Sequence, residues 1–297
     1  MKTITIALPA LMLSAAPLLA ETNYVTGNLS FDRWSANGES ISETTGTFGY
    51  EGTSGQLTYG IDLSVANLNA DGGSLTLTQG AISAGYAFSQ NFTVLASYSR
   101  TGFSDGPSDD LETFLVGGEY RLNNYTFGLS ASRFNFGGGD TDFVQGFAEY
   151  SKGEYMAYAS IARSLEVDEN IYLLGFERET DRYEVSLDYM HLEGLDNVSL
   201  SGKYNIRPNM RILAGVNWLS FGPDDITQYE LGAGYMVAQD TWFDVGVGRL
   251  NLGGENINQV SLSLTFETGK RSLRTIERAF GPFDLYDGLP LFFGIGI

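Results

Sequence analysis

The sequence predicts an all-β fold, a transmembrane antiparallel up-and-down β-barrel of about sixteen strands with a short C-terminal helical tail. Three observations predict it. From Tyr24 onward, apolar side chains recur at every second position, the period of a strand and not of a helix. Short polar or Gly-rich breaks divide that pattern into units long enough to cross a bilayer at a tilt, for which about 9 to 11 residues suffice. No uninterrupted apolar run after the first twenty residues is long enough for a membrane helix, so any crossing must be made by strands that close on themselves.

Met1 to Ala20 stands apart. One cation, Lys2, precedes an apolar stretch from Ile4 to Leu19 that Pro9 and Pro17 interrupt, and polar Glu21 follows the small Ala20. This is the pattern of a secretory signal cleaved after Ala20, with Leu18 at the −3 position. The chain therefore divides into a signal at 1–20, a barrel at 21–266 and an extension at 267–297. Composition agrees with export to a membrane: 37 Gly, 17 Tyr and 19 Phe stand beside 7 Pro and no Cys. Aromatic-rich strands suit a sheet with one face in lipid, and stability without disulfides suits a sheet with no edge.

The clearest alternations are Leu57, Tyr59, Ile61, Leu63, Val65, then Tyr125, Phe127, Leu129, Ala131, and then Met210, Ile212, Ala214, Val216, Trp218. Tyr183, Val185, Leu187, Tyr189 and Val260, Leu262, Leu264, Phe266 repeat the pattern. Strands are placed near 24–34, 42–51, 55–65, 74–88, 91–101, 111–122, 124–136, 141–151, 154–164, 168–179, 181–192, 196–205, 208–219, 226–237, 239–250 and 256–266. Two segments mix parities. In Ser74–Phe88, Leu75 and Leu77 oppose Ile82, Ala84 and Tyr86, which suggests a bulge or a shifted boundary; near 141–151, Phe143 and Phe147 compete with Val144, Ala148 and Tyr150. Merging such segments would give fourteen strands.

Every second connection reads as tight, for example Asn123, Thr180 and Ala238, whereas 67–73, 102–110, 137–140, 220–225 and 251–255 read as longer and rich in Gly or Asp. Short periplasmic turns opposite longer outer loops produce such a pattern.

Asn258–Phe266, NQVSLSLTF, alternates apolar residues and ends on an aromatic one. It resembles the closing strand of bacterial outer-membrane proteins, and residues 21–266 as a whole resemble the porin-like barrel superfamily. The resemblance implies an outer-membrane diffusion channel, recognition of Asn258–Phe266 by the barrel-assembly machinery, contact with outer-membrane lipid and lipopolysaccharide, and a homotrimer. Two departures stand out. General porins fold a long loop inward after the fifth strand, whereas Gly102–Asp110 is short, and such barrels commonly end at the aromatic residue, whereas 31 residues follow Phe266 here. Within them, Leu273, Ile276 and Phe280 share a helical face before Gly281 and Pro282, predicting an amphipathic helix at 270–280. Its cations Lys270, Arg271, Arg274 and Arg278 face only Glu277, a net of +3. Either the tail restricts the lumen or it is a peripheral appendage.

With the apolar parity in lipid, the opposite parity carries Asp32, Asp62, Glu119, Glu177, Glu184, Asp188, Glu230 and Asp244 against Arg121, Lys203 and Arg211, a net of −5. The chain without its signal carries 16 Lys+Arg against 36 Asp+Glu, a net of −20. That excludes nucleic acid as a natural partner. A lumen of about sixteen strands is too wide for side chains to fill, so the predicted function is passive diffusion of small hydrophilic solutes with a preference for cations. A closed or tail-plugged structural barrel is the alternative. A lipid-modifying enzyme is the weaker one: no catalytic constellation is found, since the single histidine, His191, shares the apolar parity and Asp188 lies on the other face. No cofactor is expected. With no Cys, only carboxylates such as Asp105, Asp109, Asp110 and Glu112, or Asp224 and Asp225, could hold a metal, and these read as solvated loop charge. N-terminal sequencing of the protein from outer membranes is expected to begin at Glu21; a start at Met1 would contradict the signal assignment.

Overall fold

Strand pairing follows chain order without a single crossover. The computed structural model describes residues 22–70, 73–104, 110–166, 169–221 and 224–269. They form sixteen strands: β1 Thr22–Ala36, β2 Glu39–Ser54, β3 Leu57–Ala70, β4 Gly73–Ala87, β5 Phe92–Ser104, β6 Leu111–Leu122, β7 Tyr125–Phe136, β8 Gly139–Lys152, β9 Tyr155–Ser164, β10 Asn170–Glu179, β11 Tyr183–Leu192, β12 Leu195–Arg207, β13 Met210–Phe221, β14 Asp224–Ala238, β15 Thr241–Leu252 and β16 Glu255–Gly269. Each pairs antiparallel with its neighbours, and β1 pairs with β16 to close the barrel. The closure sets Leu29 opposite Leu264 and Phe31 opposite Leu262. Every strand's hydrogen-bonding edges are thereby occupied, the condition for a sheet in hydrocarbon. Strand β16 runs three residues past the closing aromatic, to Gly269 opposite Tyr24. The helix expected at 270–280 lies outside the described residues.

Both ends of the β1–β16 seam, Thr22 and Gly269, sit at one rim, here the terminal rim. The connections there are tight, as the alternation in loop length predicts. At the far rim the expectation of longer loops fails for most hairpins, because the strands run on into two-residue turns. Asn37-Gly38, Gly137-Gly138 and Gly253-Gly254 all have positive φ at both positions, the type I′ geometry whose twist matches that of paired strands. Gly-rich sequence here marks a sharp reversal and not an extended loop. Only β5–β6 and β9–β10 leave connections of more than two residues at that rim.

The outer face carries the alternating apolar set: Leu57, Ile61, Leu63, Leu129, Leu174, Leu231 and Val247 are exposed, as side chains bathed in acyl chains must be. Exposed Tyr86, Phe92, Tyr125, Tyr155, Tyr204 and Tyr235 lie close to the terminal rim, forming an aromatic girdle at one membrane interface. Toward the far rim the polarity inverts. Outward positions there hold Arg100, Arg133, Asp142, Asp196, Arg249 and Asn258, whereas inward positions hold apolar residues. Buried Leu219, Ile226 and Leu250 pack with Leu195, Phe221, Leu252 and Ile257, and buried Ala66 and Leu77 with Leu68, Leu75 and Phe103. An outer surface that turns polar marks the limit of the hydrocarbon, beyond which the wall stands in water and keeps its apolar side within.

This inversion explains the first mixed segment and part of the second, in which Phe147 instead lies over Gly128. No register shift breaks the pairing of β4 with β3 or β5, so the parity change in Ser74–Phe88 needs no bulge: Leu75 and Leu77 face inward near the far rim, and Ile82 and Tyr86 face lipid. In β8, Phe143 and Phe147 face inward, Phe143 edge-on to Phe134 at 5.3 Å between ring centroids. The lipid side of β8 is carried by Val144, Ala148 and Tyr150.

Inward glycines let side chains from two flanking strands meet across the strand between them. Arg211 on β13 reaches over Gly234 on β14 to Asp244 on β15, Nε to Oδ1 at 2.8 Å and Nη2 to Oδ2 at 2.6 Å. A Cβ at Gly234 would overlap Asp244 Oδ1 and lie 2.8 Å from Arg211 Cγ. Tyr158 Oη donates to Asp188 at 2.8 Å over Gly175 in the same manner. Replacing Gly234 with Ala is expected to lower stability by about 1–3 kcal/mol, the usual cost of forcing atoms into a packed site, measured by thermal unfolding in detergent; an unchanged midpoint would show that the ion pair does not depend on the gap.

Candidate functional site

The candidate site is the inner wall, and its chemistry follows from which residue of each strand faces in. Starting from Asp62 on β3 and passing register to register, the inward set includes all eleven charged residues predicted from parity: Asp32, Asp62, Glu119, Arg121, Glu177, Glu184, Asp188, Lys203, Arg211, Glu230 and Asp244. Apart from Glu39 and Glu255, which sit at the far-rim turns, the same walk brings in five carboxylates that parity reading missed: Glu43, Glu51, Glu149, Glu179 and Glu267. Glu149 was hidden because Phe143 and Phe147 share its parity and made that side of β8 look lipid-facing. Glu43 and Glu51 lie on a strand where Ser and Thr occupy both faces, leaving little contrast. Glu179 closes its strand, and Glu267 lies past the expected strand end. Among the described residues, the wall below the far-rim turns then holds thirteen carboxylates against three cations, a net of −10.

The charges are layered. Near the terminal rim, the three cations each have a carboxylate. Arg211 and Asp244 form the fork described above with side chains only 13% and 11% exposed, and the Arg211 guanidinium lies 4.3 Å from the Trp242 ring centroid. Removing one partner of so sheltered a pair would strand a charge, at a cost of about 3–5 kcal/mol. Lys203 Nζ donates to both Glu184 oxygens at 3.0 Å. Arg121 Nη2 meets Glu119 Oε2 at 3.2 Å, the carboxylate itself being buried. Glu51, Glu149, Glu177, Glu179 and Glu267 share this level. On one side of this mouth a cavity of about 1080 Å³ is lined by Glu177, Glu179, Glu184, Asp244, Glu267 and Gly269, among others.

Farther in, Asp32, Glu43 and Glu230 form a second acidic level held by neutral donors. Gln259 Nε2 donates to Asp32 Oδ1 at 2.9 Å, Gln228 Nε2 to Gln259 Oε1 at 2.9 Å, Ser261 Oγ to Glu230 Oε1 at 2.9 Å and Thr45 Oγ1 to Glu43 Oε1 at 2.9 Å. Amides and hydroxyls fix these carboxylates in place. Beyond them lies the apolar collar of the far rim.

His191 faces outward and is paired by Asp196, Nδ1 to Oδ1 at 2.8 Å, not by Asp188. Tyr189 Oη donates to the same carboxylate oxygen at 2.7 Å. The cluster lies on the outer surface near the far rim and takes no part in the lumen. Asp110 is held by Arg100, with Nε at 2.7 Å, and Glu112 accepts from Tyr98 Oη at 3.0 Å. Asp105, Asp109 and the side chain of Asp224 lie outside the description, as do Lys270, Arg271, Arg274 and Arg278. Among the described residues no group of three or more potential ligands is placed to hold a metal.

A family model for the Gram-negative porin matches residues 12–249. No curated protein matches the sequence. Among solved structures, a triple mutant of the Rhodopseudomonas blastica porin superposes with a TM-score of 0.53 at 15% identity, covering 84% of this chain and 100% of that one. OpdQ of Pseudomonas aeruginosa gives 0.52 at 9%, covering 84% and 99%, and the CymD monoaromatic hydrocarbon channel gives 0.50 at 11%, covering 86% and 90%. Identities this low speak to the fold alone. The family match, by contrast, spans most of the chain, and with the closed sixteen-stranded barrel it makes this protein a member of the Gram-negative porin family, a channel of the outer membrane.

Proposed function

We propose that the barrel conducts small hydrophilic solutes by passive diffusion and favours cations. The observation that carries the preference is the imbalance of the described inner wall below the far-rim turns, thirteen carboxylates against three cations that are all engaged by carboxylates. A negative lining between low-dielectric walls focuses potential in the passage, raising the local concentration of cations and lowering that of anions. The two acidic levels act in series, so a cation leaving the first meets the second before reaching the far rim.

The eleven charged residues read from the sequence, with Glu43, Glu51, Glu149, Glu179 and Glu267, are the proposed lining. Their roles differ. The three ion pairs are locally neutral and shape the wall, while the carboxylates beyond them set the field. Three copies side by side, as the superfamily resemblance implies, would place three such passages in one complex and make channels open in groups of three.

Purified protein in a planar bilayer under a KCl gradient is expected to conduct, with a reversal potential of the sign given by K⁺ permeation; Cl⁻ preference would sink the reading of the lining, and absence of conductance would favour a closed structural barrel. Asp244→Asn is expected to reduce the K⁺ preference, since it leaves the Arg211 charge uncompensated at the mouth. An unchanged reversal potential in that variant would mean that permeating ions do not sense the pair.

A further inference from the structure

We propose that the lumen wall holds a hydrated divalent cation, of the Ca²⁺ or Mg²⁺ class, between Asp32 on β1 and Glu43 on β2. The register sets these two inward carboxylates directly opposite one another. Side chains so placed have Cβ atoms about 4.5–5.5 Å apart, and like charges in that position repel. Glu43 is only 5% exposed. Its Oε1 accepts from Thr45 Oγ1 at 2.9 Å, while its buried Oε2 has no hydrogen-bond partner among the described residues. On the other flank the register sets apolar Leu68 against Glu43, so no side-chain donor comes from β3. A buried acceptor left in this condition is costly.

Asp32 is held from the opposite side. Gln228 Nε2 donates to Gln259 Oε1, and Gln259 Nε2 donates to Asp32 Oδ1, both at 2.9 Å. Glu230 leans the same way, its Oε1 accepting from Ser261 Oγ at 2.9 Å, and Ser261 is the residue opposite Asp32 on β16. Two inward glycines of β15 let β14 reach so far. A Cβ at Gly246 would lie 2.8 Å from Glu230 Oε1 and closer still to Ser261 Oγ, and one at Gly248 would lie 2.8 Å from Gln259 Oε1. The amide chain thus fixes one oxygen of Asp32, and Thr45 fixes one oxygen of Glu43. Each carboxylate keeps its second oxygen for a ligand.

So prepared, the pair suits a hard cation. An ion bound at about 2.3–2.6 Å to each carboxylate bridges oxygens up to about 5 Å apart, and such an ion completes its shell with water where the protein supplies only one or two carboxylates. Among the described residues no third carboxylate joins them as a ligand, which fits a wet, exchangeable ion and not a closed cage. Glu230 adds negative potential from three strands away. An ion held here offsets Asp32 and Glu43 and weakens the wall's pull on K⁺, a consequence that rests on the cation-channel reading; the site itself rests only on a lumen that water enters.

Trp34 supplies a reporter. It shares the inward face with Asp32 two residues away and stands opposite Gln259, whereas Trp218 faces outward and Trp242 lies beside Arg211 near the terminal rim. In the full-length protein in detergent, Tb³⁺, a luminescent stand-in for Ca²⁺, is expected to give saturable emission on tryptophan excitation, displaced by Ca²⁺ at about 10⁻⁴–10⁻³ M, the range of weak exposed sites. The isosteric pair Asp32→Asn with Glu43→Gln is expected to abolish the displaceable emission. Trp34→Phe is expected to abolish it too, and Trp242→Phe to leave it. No displaceable emission in the unaltered protein, emission that survives Asp32→Asn with Glu43→Gln, or emission lost with Trp242→Phe and kept with Trp34→Phe overturns the site. In planar bilayers, added Ca²⁺ is expected to lower the K⁺ preference of the unaltered protein more than that of the doubly substituted one; an equal shift in both overturns the site's effect on the current. If neither protein conducts, the channel reading fails, while the luminescence still decides the site.

Discussion

A sheet in hydrocarbon can have no edge, and the rest of the structure depends on that constraint. Each unpaired backbone amide in a bilayer costs several kcal/mol, so the first strand must find the last. Twelve matched residue pairs along β1 and β16, from Tyr24 and Gly269 to Ser35 and Asn258, meet this demand. Closure then fixes everything downstream: sixteen strands give a lumen too wide to fill with side chains, period two gives each strand one face in lipid and one inside, and the inner faces together form a continuous charged surface.

Given a wide lumen, the wall must manage polar groups that face water but stand close together. The structure does so by alternating reach and gap. Long side chains on one strand cross a glycine on the next to meet a partner two strands away, as Arg211 does over Gly234 and Tyr158 over Gly175. Much of the chain's glycine therefore reflects lateral contact within the wall, a demand distinct from turn geometry. The outcome is an inner surface where some charges are neutralised in rigid pairs and other carboxylates are held by amides and hydroxyls.

The architecture was legible in the sequence wherever the two faces of a strand differ. In β3, Leu57 to Val65 against Asp62 and Ser64 leaves no choice of face, and the same holds for β7, β13 and β16. Legibility failed where the inside is also apolar. Leu75, Leu77 and Phe143 point inward near the far rim, where the wall stands clear of lipid, and Phe147 points inward over Gly128, so reading every apolar residue as lipid-facing suggested a bulge in β4 and hid Glu149 in β8. The far-rim turns failed for another reason: Gly137-Gly138 and Gly253-Gly254 read as loop composition, whereas φ > 0 at both positions makes them hairpin turns. Pairing across strands, such as His191 with Asp196, depends on register, which a one-dimensional pattern does not carry.

The central claim is that alternate residues of each strand line a water-filled interior. Single cysteines placed in turn at residues 57–66 of β3, in intact outer membranes, test it most directly with a small charged thiol reagent that does not enter lipid. The account predicts strong labelling at the partly exposed even positions Thr58 and Asp62 and weak labelling at the odd ones such as Ile61 and Leu63. Equal labelling at both parities, or protection of the even positions throughout, would contradict it.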